Sequence, residues 1–293
     1  MKKKNSHNDL VGYAMIAPYY LFLFLFILVP VGVNLFMSFT DYNLNTMNFV
    51  GISNYLRLFR DPILKKSVVN TLLYTVITLA STISCGLLVA ILITQTGRLI
   101  PVFRTFVFLP YVVSMASASM IWLWIYEPGY GLLNAILKVF NLPMQSWIYD
   151  VKLALICVSV VSFWKLLGYN MVIYTSGLLG IPQHLYEAAK IDGANALHRF
   201  RYITLPMLRP TTFFLLVTGF INNFNVFEQV KILTNGGPVN STTTVMHQIY
   251  NRGFVDYQFG YASAITVLMM IVVSIITAVN FKFGSKGHDL DLS

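Results

Sequence analysis

The residues of this 293-residue chain that could do chemistry in a membrane are polar side chains set within apolar runs. Most of them lie in the run Phe220-Ile-Asn-Asn-Phe-Asn-Val-Phe-Glu-Gln-Val-Lys231. At 3.6 residues per turn, Asn222, Asn225 and Gln229 fall on one face of a helix, with Glu228 beside them. Polar groups in such a helix tend to face protein or water rather than lipid. The pattern fits a polar path for a solute or hydrogen bonds between packed helices, and both interpretations stay open.

A second candidate group lies in the apolar run 151–179. Lys165 is near its centre, next to Trp164, and Tyr169, Asn170 and Tyr174 follow. Aromatic faces with amides suit sugars, whose C–H faces stack on rings while their hydroxyls bond to amides. Anchoring at the membrane interface explains the same residues. Trp164, Asn170 and Tyr174 are therefore candidate path residues, together with the four in the later run.

Catalytic and metal-binding patterns are missing from the sequence. None of the histidines belongs to an H-E-x-x-H motif, and neither G-x-S-x-G nor a G-x-x-x-x-G-K-[ST] phosphate loop occurs. Cys85 and Cys157 lie inside apolar runs, as small buried side chains do. We therefore predict no catalytic residue, no metal site and no ATP hydrolysis by this chain, so uphill transport would need an ion gradient or another subunit.

The connector Ile181–Pro206 predicts a compact helix–turn–helix. Pro182 can open a helix, the run Glu187-Ala188-Ala189-Lys190 favours one, and Gly193 breaks it. A second short helix is predicted from Ala194 toward Tyr202. The alanines allow another protein to approach closely, and Glu187 and Asp192 offer carboxylates to its basic groups. An amphipathic helix at the membrane surface is the alternative.

The composition indicates a protein embedded in a lipid bilayer. Hydrophobic residues make up 56% of the chain and charged residues 11%, against about 25% charged in soluble domains. The net charge of +9 comes from basic residues scattered over short connectors, which argues against nucleic-acid binding. An all-α membrane protein follows, because backbone groups in lipid must be satisfied within each segment and no alternating ten-residue strands occur.

Six apolar runs are long enough to span a bilayer. They cover residues 11–39, 68–93, 102–126, 151–179, 210–233 and 261–281. The first is too long for a signal-peptide core and lacks a small-x-small cleavage site, so we interpret it as an uncleaved span. Residues 1–10 and 282–293 are then cytoplasmic, because placing them inside puts eleven basic residues within and seven outside. The inner set is Lys2, Lys3, Lys4, Arg98, Arg104, Lys190, Arg199, Arg201, Arg209, Lys282 and Lys286, and the outer set is Arg57, Arg60, Lys65, Lys66, Lys138, Lys152 and Arg252.

The connector also carries a family signature. Glu187-Ala188-Ala189, Gly193, Ile203 and Leu205-Pro206 resemble the EAA motif of permease subunits in binding-protein-dependent ABC importers. The run Glu-Ala-Ala-Lys-Ile-Asp-Gly-Ala-Asn is similar to the sugar-importer branch, of the maltose, glycerol-3-phosphate and multiple-sugar type. Supporting similarities are Phe49-Val-Gly-Ile-Ser-Asn-Tyr55, Asn70-Thr-Leu72 and Leu233-Thr-Asn-Gly-Gly-Pro238.

The resemblance implies six transmembrane helices of the type I ABC importer permease fold and a cytoplasmic coupling helix that docks on an ATPase. Its ATPase-coupling residues would be Glu187, Ala188, Ala189, Asp192, Gly193 and Ala194. The implied partners are a second permease subunit, in a heterodimer in many family members, two ATP-binding cassette subunits that hold ATP and Mg²⁺, and an extracellular solute-binding protein. The chain itself would bind no cofactor and would import a sugar or oligosaccharide across the bacterial inner membrane. An ion-coupled secondary transporter is the alternative, although the repeated halves that many such proteins show are absent.

Overall fold

The computed structural model describes residues 6–94 and 100–284. Over these ranges the chain forms helices and no β-sheet. In chain order the α-helices are α1 (Ser6–Leu23), α2 (Val29–Met37), α3 (Ser53–Leu58), α4 (Pro62–Ile93), α5 (Ile100–Val112), α6 (Met115–Ile125), α7 (Leu132–Val139), α8 (Ala154–Leu179), α9 (Gln183–Ile191), α10 (Ala196–Arg199), α11 (Leu205–Met207), α12 (Arg209–Phe224), α13 (Glu228–Leu233), α14 (Val245–Tyr250) and α15 (Phe259–Gly284). Lys2, Lys3, Lys4, Arg98, Lys286 and most of the predicted tail 282–293 lie outside the described residues.

Four of the described helices are long and apolar enough to cross a membrane unaided: Gly12–Met37, Pro62–Ile93, Ala154–Leu179 and Phe259–Asn280. Counting each of two bent helix pairs as one span brings the number to six. The pair Ile100–Val112 and Met115–Ile125 bends by 101°, and the pair Ala196–Met207 and Arg209–Phe224 bends by 59°.

The predicted spans 102–126 and 210–233 each contain an interruption of the helix. The first is interrupted because Ser114 has extended backbone angles, φ −56° and ψ 139°. The second ends at Phe224, and a short helix resumes at Glu228 after Phe227 leaves the helical region at φ −141°. Apolar composition identifies a span but carries little information about an interruption of two or three residues.

Two of the three π-helical segments in the described residues lie just before a proline, and the third, Asn251–Val255, does not. The segments Phe24–Leu28 and Phe200–Thr204 are π-helical, and Pro30 and Pro206 follow them. Each proline lacks the N–H that would bond to the carbonyl four residues earlier, and that carbonyl lies within the π-helical segment. In these two helices the wider turn thus coincides with the donor that the proline lacks.

The chain divides into two compact units. One comprises the chain up to Asp61 together with Ile249–Ile271, and the other comprises Pro62–Gln248 together with the chain from Val272. In the first unit, the buried Asn54 amide donates to the carbonyls of Ser38, at 2.9 Å, and Thr40, at 2.7 Å. That amide fixes the turn that follows α2.

A charged cluster adds to the first unit. The Arg252 guanidinium lies 3.3 Å from an Asp61 carboxylate oxygen and 3.0 Å from one of Asp256. The Tyr261 hydroxyl donates to the same Asp61 oxygen at 2.9 Å. These contacts tie the end of α3 to the start of α15.

The second unit is organised around α8, which packs against α4, α5 and α12. Small residues let the helices approach closely, as is common between membrane helices. A methyl group at Gly86 of α4 would lie 2.8 Å from Cβ of Asn170, and one at Gly177 of α8 would lie 2.6 Å from the Thr211 hydroxyl. Helix α8 is thus held on several sides, and it carries three of the predicted path residues.

Candidate functional site

The predicted helix–turn–helix is confirmed. Helix α9 ends at a Schellman turn, in which Ala194 N–H donates to Ala189 C=O at 2.8 Å and Gly193 N–H to Lys190 C=O at 3.1 Å. Gly193 adopts φ +78°, the left-handed conformation that a glycine accepts at little cost. A methyl group there would meet no atom within 4 Å, so the turn requires glycine for its backbone conformation and not for internal space.

The second helix begins at Ala196, two residues later than predicted. Asn195 is its N-cap, because its side-chain oxygen accepts from His198 N–H at 2.9 Å. Asparagine at this position satisfies a backbone donor that would otherwise have no partner. Ala194 therefore belongs to the turn.

One side of the loop is anchored to the membrane domain. The hydroxyls of Tyr186 and Thr204 share a hydrogen bond of 2.9 Å across the two halves of the loop. Leu185, Tyr186 and Ile203 pack on a buried cluster formed by Ala90, Tyr174, Ile181, Leu208 and Leu215. The loop is thereby attached to α8 and α12.

The other side of the loop is exposed. Glu187, Ala188, Asp192 and Gly193 are exposed, while Ala189 and Ala194 are half-buried. Ile191 and Leu197, which flank the turn, expose 87% and 71% of their surface. Sequence reasoning missed them, although both are apolar residues beside the glycine turn.

Two predicted path residues, Asn170 and Asn222, come together in one cleft between α4, α8 and α12. The cleft has a volume of about 20 Å³, room for a single water molecule. Its polar lining consists of Thr82, Tyr169, Asn170, Thr218, Asn222 and Asn223. Of these, Thr82, Thr218 and Asn223 were not predicted. The sequence did contain a signal for Thr82, because it lies one helical turn from Thr78 in an apolar span.

Gln229 does not share this face, which contradicts the predicted alignment with Asn222 and Asn225. It is buried, and its amide donates to the Tyr74 hydroxyl at 2.9 Å and to the Ser162 hydroxyl at 3.0 Å. The Tyr74 hydroxyl in turn donates to Ser162 at 2.7 Å. The helix break at 225–227 turns Gln229 away, so its contacts are those of helix packing.

The remaining predicted path residues lie apart from the cleft. Tyr174 is fully buried and donates to the Thr212 hydroxyl at 3.0 Å. Trp164 is half-buried, with its ring edge-on to Trp122 at 5.8 Å. Asn225 and Glu228 are exposed, and the Asn225 amide donates to the carbonyl of Ile221 in its own helix at 2.8 Å.

The family-like run at Asn70 is bonded to the loop that follows the run Leu233–Pro238. The Asn70 amide donates to the carbonyls of Asn240 at 3.0 Å and Thr243 at 2.9 Å, and Val245 N–H donates to the Thr71 hydroxyl at 3.0 Å. These bonds fix the loop that begins at Leu233 to the start of α4.

The same loop encloses a histidine. His247 is buried, and its ring lies 3.2 Å from the Thr243 hydroxyl. Burial, with a smaller effect of the Lys231 charge, lowers the pKa of His247 to about 4. The ring is therefore neutral at physiological pH and acts as a hydrogen-bonding part of the loop.

Comparison with known proteins identifies the family. Residues 58–283 match the family described as binding-protein-dependent transport system inner membrane component. The chain belongs to this family. It is 32% identical to the probable ABC transporter permease protein YurN of Bacillus subtilis over 290 residues, 97% of this chain and 99% of that protein. It is 33% identical to the sn-glycerol-3-phosphate transport system permease protein UgpA of Agrobacterium fabrum over 283 residues, 95% of this chain and 96% of the relative.

A solved structure confirms the fold. The crystal structure of a bacterial ABC transporter involved in alginate import contains a chain that superposes with a TM-score of 0.86, at 22% identity and over 96% of both chains. The predicted type I ABC importer permease fold is therefore confirmed, and so is the prediction of an ABC permease over an ion-coupled transporter. The family and the apolar helices make this chain a multi-pass inner-membrane component.

The buried amide of Gln229 provides a test of its packing role. We expect Gln229→Leu to lower the thermal stability of the purified protein, because it leaves the Tyr74 and Ser162 hydroxyls with one donor fewer. The cost should be about 1 kcal/mol, within the range for side-chain hydrogen bonds between membrane helices. Thermal unfolding in detergent measures it.

Asn225→Leu is the matched control, since the exposed Asn225 amide bonds only within its own helix in the contacts described above. A melting temperature that falls equally in both variants, or in neither, would argue against a stabilising role for the Gln229 network.

Proposed function

We propose that the chain is a permease subunit of an ABC importer that carries a sugar or oligosaccharide across the inner membrane, driven by ATP hydrolysis in partner subunits. Two of the similar proteins support the solute class, since UgpA is named for transport of sn-glycerol-3-phosphate, a phosphorylated polyol, and the structural neighbour is involved in import of the polysaccharide alginate. The family description supports a solute-binding protein as a partner. A second permease subunit and two ATPase subunits, which hold ATP and Mg²⁺, complete the assembly, and this chain supplies no catalytic residue.

The observation that carries the proposal is the loop from Ile181 to Pro206. An apolar tip at Ile191 and Leu197 is presented beside the exposed Glu187 and Asp192, while the opposite side of the loop is bonded to the core. A loop that transmits force needs a surface for the partner and a rigid attachment to the spans, and this loop has both. We assign ATPase coupling to Glu187, Ala188, Ala189, Asp192, Gly193 and Ala194, and add Ile191 and Leu197.

The solute path is assigned to the cleft lined by Asn170 and Asn222. Amide and hydroxyl groups with the ring of Tyr169 offer the hydrogen bonds and the stacking face that a sugar uses. Because the cleft has room for only about one water molecule, solute passage requires α4, α8 and α12 to separate there. Trp164, Asn225 and Glu228 stay candidates for other parts of the path.

Both termini are assigned to the cytoplasm, with six spans between them. The Lys/Arg distribution supports this orientation. It places the coupling loop inside, where the ATPase subunits are, and the loop at Asn240 outside.

The first prediction from the proposed function concerns Gly193. We expect Gly193→Val to reduce association with the ATPase about tenfold, because a β-branched residue is strongly disfavoured at φ +78° and the turn must change. The measurements are co-purification of the ATPase and solute-stimulated ATP hydrolysis in reconstituted membranes.

Gly193→Asn is the matched control, since asparagine enters the left-handed region more readily than other residues. It should retain most of the association. Full stimulation in Gly193→Val would show that this turn does not couple transport to hydrolysis.

The second prediction concerns the cleft. Asn222→Leu should reduce solute uptake about tenfold or change which sugars are carried, because a site built on hydrogen bonds loses a partner. Asn225→Leu should change uptake less, since Asn225 lies outside the cleft. Uptake is measured in vesicles with a panel of sugars, after ATPase association is shown to be intact. Normal uptake of every accepted sugar by Asn222→Leu would remove the cleft from the path.

The third prediction concerns orientation. In a background with Cys85 and Cys157 replaced by alanine, cysteines at Asn8, Gln183 and Ser285 should resist impermeant thiol reagents in right-side-out vesicles. A cysteine at the exposed Asn240 should react. Ser285 lies outside the described residues, so its part of the test rests on the sequence. Labelling of Gln183 from outside would reverse the orientation.

A further inference from the structure

The third span is interrupted at a point that leaves backbone carbonyls without helical partners. Helix α5 ends at Val112 and α6 begins at Met115, with a bend of 101° between them. The last carbonyls of an α-helix have no donor within the helix. Within a membrane such groups must find a partner in the protein.

Lys165 supplies that partner from the middle of α8. Its ammonium group donates to the carbonyl of Tyr111 at 2.9 Å and also to the carbonyl of Val113. Its nitrogen lies 5.6 Å from the centre of the Tyr111 ring, within the range of cation–π attraction. A positive charge at the C-terminal end of a helix is also favourable toward the helix dipole.

Contacts one turn beyond Lys165 on α8 hold α5 in place. One turn further along α8, Gly168 lets the α5 backbone pass so closely that a methyl group would lie 2.7 Å from Cα of Phe108. The Tyr111 ring stacks on Tyr169, with centroids 5.1 Å apart. Helix α5 is therefore fixed along α8 up to the break.

The chain beyond the break packs on a different neighbour. Helix α6 lies mainly against α13, the short helix that follows the break in the fifth span. Glu228, the first residue of α13, is an acidic group whose charge acts on Lys165. Lys165 thus lies between the two interrupted spans and is bonded directly to one of them.

We propose that Lys165 is a positioning residue for transport, which sets the bend of the third span by capping its carbonyls and so directs α6 against α13. Two of its three N–H donors are engaged by backbone oxygens, so the side chain serves the protein and not the solute. A lysine in a transmembrane span is readily taken for an ion or solute ligand. The contacts of Lys165 indicate instead a structural role at the break.

The test measures the bend directly in the assembled complex. Spin labels are placed at Leu109 and Ile121, two exposed positions on either side of the break, in the background with Cys85 and Cys157 replaced by alanine. Pulsed electron–electron double resonance in lipid nanodiscs gives the distribution of distances between the two labels. Lys165→Met removes the donors and keeps the apolar stem, whereas Lys165→Arg keeps donors that can reach both carbonyls.

We expect Lys165→Met to broaden or shift the distance distribution and to lower solute uptake about tenfold, and Lys165→Arg to restore most of both. Lys66→Met is the matched control, since the Lys66 ammonium also donates to a backbone carbonyl, that of Val239 at 2.6 Å, in a loop that is not part of the third span, and it should leave the distribution unchanged. Lys165→Gln, which retains donors for one carbonyl, is measured in parallel so that the test survives if Lys165→Met does not assemble.

A distribution unchanged in the Met and Gln variants would overturn the proposal, as would failure of Lys165→Arg to restore either readout. The uptake readout rests on the proposed function, but the distance readout does not depend on the solute. A sharp, unshifted distance in Lys165→Met with uptake lost would therefore refute the positioning role alone, and a shifted distance with uptake unchanged would show that transport does not require this bend.

Discussion

Lipid offers no hydrogen bonds, so a helix that crosses it can bend only where the protein supplies donors for the carbonyls it frees. The two interrupted spans of this chain both meet that condition. At the third span, Lys165 donates to the carbonyls of Tyr111 and Val113. At the fifth, the Thr244 hydroxyl donates to the carbonyl of Val226 at 3.0 Å.

One of these donors comes from α8, which also carries several other features of the molecule. Helix α8 is continuous from Ala154 to Leu179, and it contributes Lys165 at the break, Asn170 in the cleft and Tyr174 in the core. The buried Ile181 then leads directly into the coupling loop. On the proposed function, one helix therefore connects the ATPase-facing loop with the cleft and with the bend of the third span. A displacement of the loop would reach these sites through a single rigid element, with no need for a longer chain of contacts.

The candidate path shows how polar residues in membrane helices divide between two roles. Asn222 and Gln229 have similar side chains and lie seven residues apart, so a continuous helix would place them on one face. The break between them sends Asn222 into the cleft and Gln229 into a buried network with Tyr74 and Ser162. The packing interpretation holds for Gln229, and the solute path remains a proposal for Asn222.

The sequence by itself determined the helical membrane fold, the approximate positions of the spans, the glycine turn at Gly193 and the family. These follow from composition, from local turn chemistry and from a short motif, all of which are properties of neighbouring residues. Tertiary structure alone decided the bends at Val113 and Asn225, the exposure of Ile191 and Leu197, and which amides face the cleft. The bend at Val113 and the burial of Gln229 depend on partners distant in the chain: Lys165 is 52 residues from Val113, and Gln229 is 155 residues from Tyr74. Helical periodicity specifies which residues share a face, but the free energy that selects a face comes from the donors and acceptors the fold brings opposite it.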